Sequence, residues 1–127
     1  MKREEQILQI NIINWFKKEF SEYEKDIYHF ANERKCSIIQ GIQLKKMGVR
    51  KGVADLFIAV PKNNKCGLWI ELKVGKNTVS DEQMEFLQRQ VTNGYAAFIC
   101  RTLQEATLII TEYICFDKAA PSQEFLI

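Results

Sequence analysis

Asp55, Glu71 and Lys73 are the residues of this 127-residue chain whose types and spacing lend themselves to chemistry. They fall in GVADLFIAVPKNNKCGLWIELKVGK (52–76), two apolar runs joined by the turn-forming PKNNKC, in the pattern D-x(15)-E-x-K. Side chains alternate faces along a strand, so Trp69, Glu71 and Lys73 share one face while Leu68, Ile70, Leu72 and Val74 share the other. Asp55 has the parity of Phe57 and Ala59, and a hairpin turning through 61–66 sets it opposite or diagonal to residues 71–73. Two carboxylates held together on a rigid sheet repel unless a cation lies between them or one of them keeps its proton. Mg²⁺ suits such a pair, because it takes oxygen ligands octahedrally and keeps part of its water. Lys73 adds a cationic donor able to orient or deprotonate a water or to neutralise a phosphate, while the metal offsets charge developing on phosphorus. An E-x-K by itself fits an ion pair on a solvated sheet face, and Asp55 fits a strand cap. Three charges converging within two strands otherwise dense in apolar residues favour the metal site.

Those strands need a framework. EEQILQINIINWFKKEF (4–20) spaces Leu8, Ile12, Trp15, Phe16 and Phe20 as one helical stripe, with acids in the first turn and Lys17 and Lys18 near the last. DIYHFAN (26–32) reads as a strand, and CSIIQGIQLKKMG (36–48) as a helix closed by Gly48. ADLFIAV (54–60) and GLWIELKV (67–74) form an antiparallel hairpin with a longish loop. Ser80 precedes DEQ, so Gln83 completes a capping box and a helix runs on to about residue 93. YAAFIC (95–100) is a strand, and LQEATLIITEYI (103–114) a final helix. The expected fold class is α/β, a mixed, mostly antiparallel sheet flanked by helices.

With 46% hydrophobic residues, a chain of this length buries one core without disulfides or structural metal. The four cysteines lack CxxC spacing and His29 is the single histidine, which excludes zinc ribbons and fingers. Three of the four cysteines sit beside apolar residues and read as small reduced core residues, and His29, on an aromatic strand, as a packed side chain. The charged N-terminus and the absence of a long apolar run lead us to expect a soluble, intracellular protein. Net charge is only +2, yet residues 27–60 carry +4. Within that stretch Lys45, Lys46, Arg50 and Lys51 immediately precede Asp55, with Gly48 and Gly52 among them, so phosphate-neutralising charge lies at the mouth of the proposed site. Lys76, Lys62 and Lys65 extend the path. No recognition-helix signature accompanies them, which argues against base readout.

The D-x(15)-E-x-K constellation is the motif of the PD-(D/E)XK nuclease superfamily. Together with EEQILQ, HFANERKC, LKKMGVRKGVADLF, LWIELKV, SDEQMEFL and NGY in that order, it resembles a VRR-NUC domain, the virus-type replication-repair nuclease, in its small stand-alone phage or prophage form. The likeness spans roughly residues 4–113. It implies a restriction-endonuclease-like core. By the same resemblance Asp55 and Glu71 are metal-binding acids, with the Leu72 carbonyl a further ligand, and Lys73 is the catalytic lysine. Glu5 matches the helical glutamate bordering the metal and Gln83 the glutamine completing the site. Read from local chemistry alone, Glu5 is a first-turn acid and Gln83 a capping residue; Asn32 is a turn residue that the resemblance makes a site neighbour. Ala54 stands where the superfamily name has Pro.

The resemblance further implies a Mg²⁺- or Mn²⁺-dependent endonuclease on branched DNA, a Holliday junction or flap, working as a homodimer in the cytoplasm of a bacterial host. Residues 1–115 are expected to form the nuclease domain and 116–127 an extension whose Phe116, Phe125, Leu126 and Ile127 fit an interface, an ordinary core or a frayed end equally well. The alternative class is a catalytically inactive nucleic-acid-binding or assembly module of the same fold. The intact Asp55, Glu71 and Lys73 argue against it.

Overall fold

A computed structural model of the protein describes residues 2–30 and 37–116. The proposed extension, apart from Phe116, lies outside those residues, as do Asn32 and Cys36. Helix α1 (Arg3–Glu19) buries Leu8, Ile12 and Phe16, the stripe expected from sequence. A short 3₁₀ turn, Ser21–Asp26, which the residue pattern does not announce, leads into β1 (Ile27–His29). There follow α2 (Ile38–Lys46), β2 (Leu56–Ile58), β3 (Leu68–Leu72), α3 (Asp81–Thr92), β4 (Ala96–Cys100) and α4 (Leu103–Cys115).

The strands form one sheet in the order β1-β2-β3-β4, antiparallel across the first two junctions and parallel across the last. Strand parity divides the core. Leu68, Ile70 and Leu72 join Leu56, Ile58, Ile12, Phe16 and Ile110 on the side of α1 and α4. Trp69 turns the other way, toward Ala54, Leu87, Ala97 and Ile99 on the side of α3. Ile12 and Phe16 are wholly buried, and burial of a side chain of this size contributes about 1.5–3 kcal/mol. The site residues of β3 therefore belong to the α3 side, and the larger core lies behind them.

The β2–β3 turn is tighter than the expected loop. Lys62 and Lys65 exchange backbone hydrogen bonds around Asn63 and Asn64, both with positive φ (54° and 64°), as a two-residue turn matched to strand twist requires. This turn lies at the far end of the hairpin from Asp55, so Lys62 and Lys65 do not extend the basic path. Lys62 instead lies over the Tyr23 ring.

Helix α2 is locally complete. Ser37 and Gln40 form a capping box, and Gly48 and Val49 donate back to Lys45 and Leu44 across a left-handed Gly48 (φ 100°), the Schellman ending. It nevertheless buries none of its residues: Ile38, Ile39 and Ile42 are exposed, and Met47 beyond them is 71% exposed. Gly52 in the following loop presses on α3, since a Cβ there would meet the Glu82 backbone at 2.8 Å with φ at +86°. Gly52→Ala is expected to destabilise the fold by about 1–3 kcal/mol and to push the basic loop off α3, as urea unfolding and chemical-shift mapping would show.

Candidate metal and nucleic-acid site

The β2–β3 register pairs Leu56 with Ile70 and Phe57 with Trp69; continued one residue, it sets Asp55 opposite Glu71. Asp55 is fixed there by the Leu72 amide, which donates to its Oδ2 at 2.8 Å. That bond brings the carboxylate against the backbone of Leu72, the residue whose carbonyl the family resemblance nominates as a ligand. Glu71 is 2% exposed. Its Oε2 accepts from Gln83 Nε2 at 3.0 Å and faces Lys73 Nζ at 3.8 Å, while its Oε1 is buried with no hydrogen-bond donor among the described residues. Burial, then the charge of the neighbouring Asp55, push the Glu71 carboxyl up to about 9, opposed by Lys73; a hydrogen bond that the protonated carboxyl shares with Asp55 and, more weakly, the Glu5 charge add to the rise.

Gln83 reconciles two readings of one residue. Its backbone amide donates to Ser80 Oγ and its side-chain Oε1 accepts from the Ser80 amide, both at the start of α3. With the amide oxygen committed to the cap, the NH₂ group points at Glu71. The capping box is the device that aims the residue.

Glu5 enters from the first turn of α1, 8% exposed, its Oε2 accepting from Asn77 Nδ2 at 3.2 Å. Asp55, Glu71, Lys73 and Gln83 thus converge at the end of β3, and Glu5 lies close enough for its charge to act on Glu71. Among the described residues no three His, Cys, Asp or Glu side chains form a ready metal cluster. A pair of hard carboxylates with one orphaned buried oxygen does suit a divalent cation that keeps several waters.

His29 departs from the sequence reading. It is exposed, and its Nδ1 lies 2.8 Å from the Asp55 carbonyl, which only accepts, so Nδ1 carries the proton. Of the cysteines, Cys100 is buried, with its thiol pushed up to about 12 chiefly by burial, whereas Cys66 and Cys115 are exposed rather than core.

The basic run is only partly gathered. Lys45, Arg50 and Lys51 line a groove of about 770 Å³ between the loop and α3, together with Glu82, Glu85, Phe86 and Arg89. Lys46 is exposed at the end of α2, and Lys76 is exposed on the turn after β3. Arg89 escaped the sequence reading because its place is set by the contact of Gly52 with α3, which no local pattern encodes.

The model of the VRR-NUC domain family matches residues 2–103. A solved structure described as "VRR_NUC domain protein" superposes with a TM-score of 0.78 at 23% identity, covering 99% of each chain, a likeness of fold. No curated protein matches the sequence. Among the described residues no helix is long and apolar enough to cross a membrane.

Proposed function

The chain belongs to the VRR-NUC domain family, a nuclease-type family, and on that footing we propose that it is a Mg²⁺- or Mn²⁺-dependent DNA endonuclease hydrolysing phosphodiesters in branched DNA. The observation that supports this reading is the buried Glu71 beside Asp55, with one ionised-carboxylate oxygen that has no donor among the described residues and Lys73 3.8 Å from the other. Asp55, Glu71 and the Leu72 carbonyl would hold the cation, which when bound offsets charge on the phosphoryl oxygens and makes water a better nucleophile. Gln83 keeps Glu71 Oε2 oriented from α3. Lys73, 14% exposed on its side chain, has an ammonium able to hold a phosphate oxygen or to exchange a proton with the attacking water. Lys45, Arg50, Lys51 and Lys76 supply phosphate contacts around the site, and these contacts position without reading sequence.

A homodimer completes the reading, since two sites are needed to cut two strands. The apolar face of α2 supports it: a nine-residue helix is marginal in water without packing, and among the described residues nothing buries Ile38, Ile39 or Ile42. Sedimentation equilibrium should find a dimer that Ile38→Glu/Ile42→Glu returns to monomer.

Labelled junction, flap and linear DNA incubated with Mg²⁺, Mn²⁺ or EDTA test the activity. Metal-dependent cutting of the branched forms is expected; binding without cutting under every metal supports the inactive module instead. Charge removal at Arg50 and Lys51 should weaken binding of all DNA forms alike and lower the slope of log affinity against log salt by about 1 for each phosphate that is no longer neutralised. A fluorescence-anisotropy salt series measures it, and an unchanged slope places the DNA elsewhere.

A further inference from the structure

The turn after β3 is fastened from several sides. Arg101, just beyond β4, donates from Nη1 to the carbonyls of Asn77 at 2.8 Å and Gly75 at 3.3 Å. Arg101 is itself held, its amide donating to Glu105 Oε1 at 2.9 Å, and Glu105 sits in the first turn of α4 with its own amide bonded to the N-cap Thr102. The Lys73 amide donates to the Cys100 carbonyl, tying the start of the same segment to β4.

From that anchored turn the Asn77 side chain reaches α1. Its Nδ2 donates to Glu5 Oε2 at 3.2 Å, and its Oδ1 accepts from Lys2 Nζ at 2.9 Å. An ammonium can only donate, so Lys2 fixes which end of the amide is oxygen and the NH₂ must face Glu5. Glu5 is a buried carboxylate, a group that is costly without donors, and its charge acts on Glu71.

We propose that Asn77 is a positioning residue of the nuclease site: its amide holds the Glu5 carboxylate beside the Asp55–Glu71 pair, and Arg101 holds Asn77. The inference rests on the nuclease reading above and adds to it a residue outside the charged motif. Without the amide, Glu5 is free to swing toward Lys2 or solvent, and the negative potential facing a divalent cation falls. The basic loop and its groove are untouched, so the loss belongs to the metal and not to DNA binding.

Mn²⁺ titration calorimetry on DNA-free protein tests this, beside the Mg²⁺ dependence of junction cleavage, in wild type, Asn77→Leu, Asn77→Ala, Glu5→Gln and the double variant Asn77→Leu/Glu5→Gln. Asn77→Leu is expected to bind Mn²⁺ about tenfold more weakly and to need correspondingly more Mg²⁺ for half-maximal cleavage, with the KM for DNA unchanged. The double variant should be no weaker than Glu5→Gln, because the amide then has no carboxylate to serve. Asn77→Ala repeats the test should leucine disturb the turn, and circular dichroism identifies the folded variants. Wild-type Mn²⁺ affinity in a folded residue-77 variant, or losses that multiply in the double variant, overturns the inference. A wild type that neither binds Mn²⁺ nor cleaves overturns the nuclease reading and this inference together. An active wild type indifferent to residue 77 overturns the inference alone.

Discussion

Asp55→Ala should lower cleavage of a junction substrate by about a thousandfold or more, equivalent to about 4 kcal/mol of transition-state stabilisation, while leaving DNA binding largely intact. Asp55 contributes one of two carboxylates to the pair and accepts the Leu72 amide, so its removal takes away a proposed metal ligand and loosens the register at the end of β3. The structural part of that loss is modest. One hydrogen bond to a charged acceptor contributes about 1.5–3 kcal/mol, and the apolar clusters on both sheet faces remain. A melting curve should therefore show a folded protein, and a calorimetric titration should show one that no longer takes up Mn²⁺. Lys73→Ala separates the functions: cleavage is lost, but Mn²⁺ still binds, because the ammonium stands beside the carboxylates and repels the cation. Equal cutting by wild type and Asp55→Ala would remove Asp55 from the site.

Glu71→Gln should have the opposite effects on stability and activity, abolishing cleavage while raising the melting temperature of the metal-free protein at neutral and alkaline pH. The sign follows from linkage. The Glu71 carboxyl lies at about 9 in the folded chain, against an ordinary value of 4.5 for the unfolded one, so the folded state binds the extra proton between those limits. Stability is fully present below about pH 4.5 and declines as pH rises toward 9, and glutamine, which has no proton to release, escapes that decline. Thermal melts of wild type and variant across the neutral and mildly alkaline range should therefore diverge with rising pH. Saturating Mn²⁺ should flatten the wild-type slope, because a cation takes the place of the proton. Metal binding should release a proton near neutral pH, which calorimetry in buffers of different ionisation enthalpy would count. Parallel pH dependence for wild type and Glu71→Gln would mean that the fold does not raise the Glu71 carboxyl above its ordinary range and would undo this account of the pair.

The core of the site was legible because strand alternation is strict. Once LWIELKV is taken as a strand, Glu71 and Lys73 must share a face with Trp69, and the turn residues between the runs bring Asp55 opposite them. The capping box at Ser80 was equally plain, and the same S-x-x-Q spacing stands in SIIQ ahead of α2, where the sequence reading passed over it. What escaped was set by long-range contact. Asn77 and Glu5 are 72 residues apart, and nothing local to either announces the other. His29 was misread for a related reason: an aromatic, β-branched strand suggests burial, but β1 pairs on one side only, and its Tyr28 and His29 stay exposed. The longish hairpin loop became a two-residue turn because Asn63 and Asn64 both accept positive φ.

Gln83 uses its oxygen to start α3 and its nitrogen to hold Glu71. Fraying of the first turn of that helix and misalignment of the buried carboxylate are thus a single event. Helix ends open at far lower free energy than the whole chain unfolds. On warming, the proposed site should lose its alignment in a local, reversible step ahead of the global melt. The optimum temperature of the proposed activity is then expected to depend on one serine and one glutamine more than on the apolar mass behind them.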